Sequence, residues 1–120
     1  MNDGYIFLAD SGIAYSTGAS INFFNNSTNE FTKIDSSSSY YCGVNMINEN
    51  EIIYINGNGE VYTCKIDGSN KKKLDMFDSF GDIESIIANE EGAFFTYLDT
   101  TGNYILNYIN WDGYMTEYYY

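Results

Sequence analysis

The chain has 120 residues, which is the size of one ordinary domain with a core of its own. Hydrophobic residues make up 44% of it and aromatic residues 18%, so the composition excludes an intrinsically disordered chain. Seventeen acidic residues against five lysines and no arginine give a net charge of −12, which repels phosphate groups and predicts no nucleic-acid partner.

Membrane insertion is not predicted, because no apolar run approaches the roughly 18 residues that a membrane helix needs. The first residues, MNDGYIFLADSG, have neither the basic nor the apolar region of a signal peptide. Neither feature identifies the cellular compartment of the protein.

The first predicted unit spans about residues 4–35 and contains four short strands. These are GYIFLA (4–9), IAYS (13–16), SINFF (20–24) and NEFTKI (29–34). Turns rich in Gly, Asn and Ser separate the last three strands, and such turns favour successive hairpins.

The second unit, about residues 40–75, has the clearest pattern. Its predicted strands are YCGVNMI (41–47), IIYIN (52–56), EVYTCKI (60–66) and KKKL (71–74). Asn58-Gly59 and Asp67-Gly68 mark tight turns between them. The outermost strand carries three lysines, which block pairing of a free sheet edge with another chain.

The third unit, about residues 82–120, repeats this arrangement. Its predicted strands are IESIIA (83–88), AFFTYL (93–98), NYILNYI (103–109) and YMTEYYY (114–120). The isoleucines of IESIIA also fit a short helix, but the repeat favours a strand. The last residues of the three central runs, Phe24, Ile66 and Ile109, are 42 and 43 positions apart. That spacing is typical of four-stranded propeller blades.

The predicted fold is therefore all-β, with one domain over 1–120 built from three four-stranded antiparallel blades of a β-propeller. The runs IIYI and AFFTYL do not alternate polar with apolar residues, as expected for sheets covered on both faces. Propellers close with four to eight blades, so three leave apolar faces at both ends. A head-to-tail homodimer would complete six blades; a larger propeller in a longer chain and a different packing of the sheets are the alternatives.

The two cysteines are predicted to be free, buried thiols. Cys42 lies on the first strand of the second unit and Cys64 on the third, with one strand between them. Their backbones are then nearly 10 Å apart, whereas a disulfide needs Cα atoms within roughly 7 Å.

One segment resembles a known family. The string CKIDGSNKKKL (64–74) is similar to the blade signature of YWTD propellers of the low-density-lipoprotein-receptor type, and IIYIN with VYTCKIDGSNKKKL looks closer still to bacterial DUF5050-type blades. The YWTD tetrad itself is replaced by YING (54–57) and YLDT (97–100), which keep the leading tyrosine. The resemblance implies six blades, a secreted or cell-surface location, and binding or scaffolding instead of catalysis.

Catalytic signatures are few. The chain has no histidine, which excludes serine–histidine and cysteine–histidine catalysis and histidine-ligated metals. The acidic pairs Glu90–Glu91, Asp78–Asp82 and Glu49–Glu51 could act in a carbohydrate-active enzyme, although solvated loop charges are the favoured interpretation.

No cofactor is predicted, and calcium is a weak alternative. The oxygen-rich segments Asp67–Asn70 and Asn110–Gly113 could supply ligands to that ion, but turn chemistry explains them without one.

The candidate binding residues are Trp111, Tyr54 and Tyr97, since aromatic rings stack on sugars and anchor protein partners. Trp111 lies in a predicted turn, where a large ring is unexpected. We expect a non-enzymatic propeller module that recognises a protein partner; a glycan-binding module is the alternative, and an enzyme with an acidic pair ranks third.

Overall fold

Twelve strands and their turns make up the part of the chain that the computed structural model describes, residues 7–8, 12–36, 41–77 and 83–119. The strands are β1 Phe7–Leu8, β2 Gly12–Ser16, β3 Ser20–Asn25, β4 Glu30–Ser36, β5 Tyr41–Met46, β6 Glu51–Asn56, β7 Glu60–Lys65, β8 Lys72–Met76, β9 Ile83–Ala88, β10 Gly92–Leu98, β11 Tyr104–Asn110 and β12 Met115–Tyr119. Within these ranges no helix is long and apolar enough to span a membrane.

The strands form three antiparallel sheets of four, which follow one another along the chain. The first sheet has the order β1-β2-β3-β4, the middle sheet β5-β6-β7-β8 and the third sheet β9-β10-β11-β12. The prediction of an all-β fold with four-stranded antiparallel units is confirmed, and IESIIA is a strand as the repeat indicated. Of the predicted strand GYIFLA the structure describes Phe7 and Leu8, which pair with β2; the rest of that prediction lies outside the described residues.

Asparagine and glycine shape the turns, as a chain without proline requires. In the β6–β7 turn the side-chain oxygen of Asn56 accepts hydrogen bonds from the amides of Asn58 and Glu60, both at 3.0 Å. The amide of Gly59 donates to the Asn56 carbonyl at 3.0 Å, and Gly59 has a φ of 84° that suits glycine.

The core consists of two apolar layers, one on each face of the middle sheet. The layer toward the first sheet contains Ala14, Ile21, Phe23, Ile34, Val44, Met46, Ile52, Tyr54 and Cys64. The layer toward the third sheet contains Ile53, Ile55, Val61, Phe77, Ile86, Ala93, Phe95, Tyr97, Ile105 and Ile109. Five successive residues of β6, from Ile52 to Asn56, are buried because both faces of their sheet are covered.

The third sheet departs from the prediction made for AFFTYL. In β10 burial alternates: Ala93, Phe95 and Tyr97 are buried, whereas Phe94 and Thr96 are half-buried. The prediction that this run is covered on both faces is therefore wrong within the chain. The reason is positional, since among the described residues only the middle sheet packs on the third sheet, and it covers one side.

Two further predictions on the middle sheet can be compared with the structure. Lys72 and Lys73 lie exposed on β8, an outer strand of this sheet, as predicted. Cys64 is a buried free thiol, and its burial raises its pKa to about 11. The backbone of Cys42 lies on β5 with β6 between it and β7, but the Cys42 side chain is outside the described residues.

A polar contact joins the first sheet to the middle sheet beside the apolar layer. The Tyr54 hydroxyl donates to the Asp35 carboxylate at 2.7 Å, and the Lys71 ammonium lies 2.8 Å from the same oxygen. Partial burial alone would raise the pKa of Asp35, but the hydrogen bonds from Lys71 and Tyr54 outweigh it and the pKa lies below its usual value.

Candidate binding groove between the middle and third sheets

A groove of about 420 Å³ opens between the middle and third sheets. It lies at the end of the sheets where the β5–β6, β7–β8, β9–β10 and β11–β12 turns lie, because residues of all four turns line it. The polar and aromatic lining residues are Asn48, Glu51, Thr63, Asn70, Lys72, Glu90 and Trp111. The apolar Ile47 and Leu74 line it as well and pack against the core layer between the two sheets.

Trp111 is held in this groove by a turn that side-chain hydrogen bonds close. The Asn110 side-chain oxygen accepts hydrogen bonds from the amides of Asp112, at 3.0 Å, and Tyr114, at 3.1 Å. The indole Nε1 donates to the carbonyl of Asn89 at 3.1 Å, which links two turns of the third sheet. The ring is half-buried and contacts the core layer, so one part of it is packed and another is available to a ligand.

Close approach of the two sheets at this turn depends on Gly113. Its φ is 90°, and a Cβ there would lie 3.1 Å from the carbonyl oxygen of Leu74 in the middle sheet. A larger residue would strain the turn and push it away from β8. The glycine thus helps to place the indole against the wall that the middle sheet provides.

The opposite rim is the β5–β6 turn. The amide of Ile47 donates to the carbonyl of Glu51 at 2.8 Å, and the Asn48 side-chain nitrogen donates to the Glu51 carboxylate at 2.9 Å. The Asn48 side-chain oxygen accepts from the amide of Asn50 at 2.8 Å. These bonds orient one carboxylate toward the same groove that Trp111 lines.

The charges around the groove favour a cation. Glu51 from the middle sheet and Glu90 from the third sheet line it together with a single lysine, Lys72. Lys71 and Lys73 form ion pairs with carboxylates outside the groove, whereas Lys72 forms none with the described residues. Around this cluster the whole chain carries a net charge of −12, which attracts positively charged ligands.

Of the three aromatic residues predicted as binding candidates, the groove contains Trp111. Tyr54 is 0% exposed between the first and middle sheets, and Tyr97 is 2% exposed between the middle and third sheets. The Tyr97 hydroxyl accepts a hydrogen bond from Asn107 at 3.3 Å. Both tyrosines are core residues of the folded chain, and neither ring offers a surface to a ligand.

Sequence reasoning missed Glu51, Glu90 and Lys72 as members of one site. The predicted acidic pairs are close in sequence, whereas Glu51 and Glu90 come from different sheets and line one groove because those sheets pack together. Glu49 and Glu91 are exposed beside them, and Asp78 and Asp82 lie outside the described residues.

No group of three or more acidic or cysteine side chains in the described ranges could hold a metal ion. In the segment Asp67–Asn70 the carboxylate of Asp67 accepts bonds from the Ser69 hydroxyl, at 2.6 Å, and the Ser69 amide, at 2.9 Å. These bonds lower the pKa of Asp67. In Asn110–Gly113 the Asn110 oxygen likewise closes the turn, so both oxygen-rich segments serve as turns.

No family model and no curated protein matches the sequence. Eight chains among the solved structures resemble the fold. A chain in the crystal structure of a nidogen/laminin complex matches with a TM-score of 0.72 over 91% of this chain at 16% identity. The N-terminal domain of Nup159 matches with a TM-score of 0.57 over 96% of this chain at 12% identity. The shared fold is β-propeller-like.

The chain is shorter than both of these structures. It spans 44% of the chain in the nidogen/laminin complex and 29% of the Nup159 chain. At 16% and 12% identity the similarity concerns the arrangement of the sheets alone.

Proposed function

We propose that this protein is a non-enzymatic binding module whose three sheets are blades of a propeller and whose partner is a protein with a basic segment. The observation that carries the proposal is Trp111, a half-buried indole in a groove that carboxylates of two different sheets line. The fold supports it, because one of the similar propeller-like structures is a complex between two proteins, nidogen and laminin.

The groove has the parts that recognition of a basic segment needs. A lysine or arginine side chain over an indole face gains about 0.5–2 kcal/mol from the cation–π interaction. Glu51 and Glu90 supply carboxylate acceptors for the same cation, and Asn48 and Asn70 can bond to the backbone of an extended segment. The net charge of −12 raises the rate at which a basic partner arrives.

The test is a calorimetric titration of the protein with lysine-rich and glutamate-rich peptides of equal length. We expect the basic peptide to bind, and Trp111→Ala to weaken its binding at least about tenfold, as the loss of an anchoring aromatic residue does. Tyr114→Ala is the matched control, because Tyr114 lies in the same turn, is 74% exposed and does not line the groove.

Two outcomes would contradict the proposal. One is equal binding of the acidic and basic peptides, and the other is an unchanged affinity of the Trp111→Ala variant for the basic peptide. Circular dichroism of each variant separates the loss of a contact from the loss of the fold.

A glycan is the second candidate ligand, because an indole beside amide and carboxylate groups also suits a sugar ring and its hydroxyls. A broad glycan array distinguishes the two classes. A hit that Trp111→Ala abolishes would favour the glycan, and the absence of any hit would remove it.

For the fold as a whole we propose a propeller of six blades, of which this chain contributes three. The chain spans 44% of the matching chain in the nidogen/laminin complex, which is close to the half that three of six blades would occupy.

A further inference from the structure

The first sheet has an uncovered apolar face, that is, a face on which no other sheet of the described residues packs. Ile13, Phe24 and Phe31 are directly opposite one another on β2, β3 and β4, on the face away from the middle sheet. Phe31 is 69% exposed, and its ring lies 4.8 Å from that of Phe24 and 6.3 Å from that of Tyr15. We call this set, with Tyr15, the first outer face.

The third sheet has a second uncovered apolar face at the opposite end of the molecule. Ile87, Phe94 and Tyr108 are opposite one another on β9, β10 and β11, again on the face away from the middle sheet. Ile87 is 62% exposed, and the rings of Phe94 and Tyr108 are 4.7 Å apart. Leu106 and Tyr118 pair on the same face. We call these five residues the third outer face.

The strand registers show which residues of the middle sheet are equivalent to the residues of these outer faces. Gly12, Glu51 and Gly92 occupy the same place in their sheets, each paired with the last residue of the next strand. Counting from them, Ile13 and Tyr15 correspond to Ile52 and Tyr54 of the middle sheet. Those two residues are fully buried against the first sheet.

The third outer face has an equally close counterpart in the middle sheet. Phe94 corresponds to Ile53 and Thr96 to Ile55, and both isoleucines are fully buried against the third sheet. The two outer faces are therefore the two halves of one kind of contact. The chain already makes that contact twice, once on each side of its middle sheet.

We propose that a second copy of this chain covers both faces, with the first outer face of each copy packed on the third outer face of the other. The inference rests on the proposed propeller, in which three sheets turn through half a circle and two copies close it. If two first outer faces packed on each other, equivalent faces of two sheets would be in contact. In both sheet contacts between the described residues, opposite faces meet instead.

The equivalence also specifies a pair of residues at the new contact. Between the first and middle sheets Tyr54 donates to Asp35, which lies opposite Ile21. Tyr15 corresponds to Tyr54. Leu106 corresponds to Ile21, because each lies four residues before the end of its strand. Leu106 is opposite Tyr118, so Tyr118 occupies the place that Asp35 has in the first sheet. Tyr15 of one copy would therefore face Tyr118 of the other.

The experiment measures the solution mass of the 120-residue chain over a range of concentrations by size-exclusion chromatography with light scattering. We expect a mass of twice 13.6 kDa. Phe31→Asp and Ile87→Asp each place a charge in the contact and should each raise the dissociation constant of the dimer by on the order of 100-fold. Asn58→Asp, which adds a charge at an exposed turn of the middle sheet, away from both outer faces, should leave it unchanged.

Mixing the two variants tests the head-to-tail arrangement. A pair made of one Phe31→Asp copy and one Ile87→Asp copy has one contact with two unaltered faces, so the mixture should form more dimer than either variant alone. If an aspartate variant loses its circular dichroism spectrum, Phe31→Ser or Ile87→Ser takes its place.

Three results would overturn the inference: a wild-type mass that stays at 13.6 kDa, a mass that grows beyond two copies, or a loss of dimer with one aspartate variant and not with the other. The last result would indicate contact between two identical faces. None of them would affect binding of a basic peptide at Trp111, because that groove lies within one chain.

Discussion

At the scale of the residue, Asp35 shows how a charge is tolerated beside an apolar layer. Tyr54 and Lys71 both bond to one carboxylate oxygen, and the amide of Ser36 donates to the other at 2.9 Å. Three donors from two sheets thus satisfy a group that partial burial would otherwise disfavour. The contact fixes how the first sheet sits on the middle sheet.

We expect Asp35→Asn to lower the free energy of unfolding by about 1.5 kcal/mol at pH 7, the low end of the range for hydrogen bonds to charged groups, because Asp35 is only partly buried. Because the folded pKa of Asp35 is lowered, this stability is present above the pKa of the unfolded carboxyl, about 4, and is lost as the pH falls through the folded value.

Urea unfolding at several pH values measures this effect. The difference between the wild type and Asp35→Asn should shrink as the pH falls from 6 to 3. Asp112→Asn removes the same charge from an exposed turn and is the control. A difference that stays constant over this range would show that ionisation of Asp35 does not contribute.

The candidate residues differ in how far the sequence determines their place. Trp111 follows a turn-forming asparagine, so its position at the surface could be predicted from its neighbours. Tyr54 and Tyr97 lie within apolar runs, and the same local reasoning points to the core, where the structure places them. That Glu51 and Glu90 line the same groove depends on packing between sheets, about which local patterns contain no information.

At the scale of the element, turn residues and repeat spacing were sufficient to predict the strands of the middle sheet. Predicted and observed bounds of β6, 52–56 and 51–56, differ by one residue. The prediction failed for coverage of β10, because an apolar run indicates that a face can be buried and not which neighbour buries it. Within the described ranges no other sheet packs on the outer side of β10.

The difference in coverage between the middle and third sheets predicts that truncating Ile53 and Ile87 changes the free energy of unfolding by unequal amounts. Ile53→Ala should cost about 2–5 kcal/mol of unfolding free energy, because Ile53 is fully buried between two sheets and its truncation leaves a cavity. Ile87→Ala should cost less than about 0.5 kcal/mol in a single chain, since most of that side chain is exposed.

Both substitutions are compared by urea unfolding in the Phe31→Asp background, where the proposed contact between copies is broken. Equal costs would contradict the assignment of Ile87 to an uncovered face. A larger cost of Ile87→Ala in the wild-type background than in the Phe31→Asp background would instead reflect the contact between copies.

At the scale of the whole molecule, the net charge acts in opposite directions on the two proposed interactions. Two chains of charge −12 repel each other, so screening by salt should strengthen the dimer, whereas it should weaken binding of a basic peptide. We expect the dissociation constant of the dimer to fall, and that of the peptide to rise, between about 50 and 500 mM salt. Light scattering and calorimetry on the same samples measure both, and a parallel change would contradict one of the two proposals.

The position of the Trp111 groove at one end of the sheets has a consequence for valency. In a two-copy ring the symmetry axis runs along the channel, so the two grooves open on the same side of the ring, half a turn apart. A partner with two basic segments, or one displayed densely on a surface, could then occupy both at once. The second binding event would be intramolecular, and modest affinity at each groove would give much tighter attachment overall.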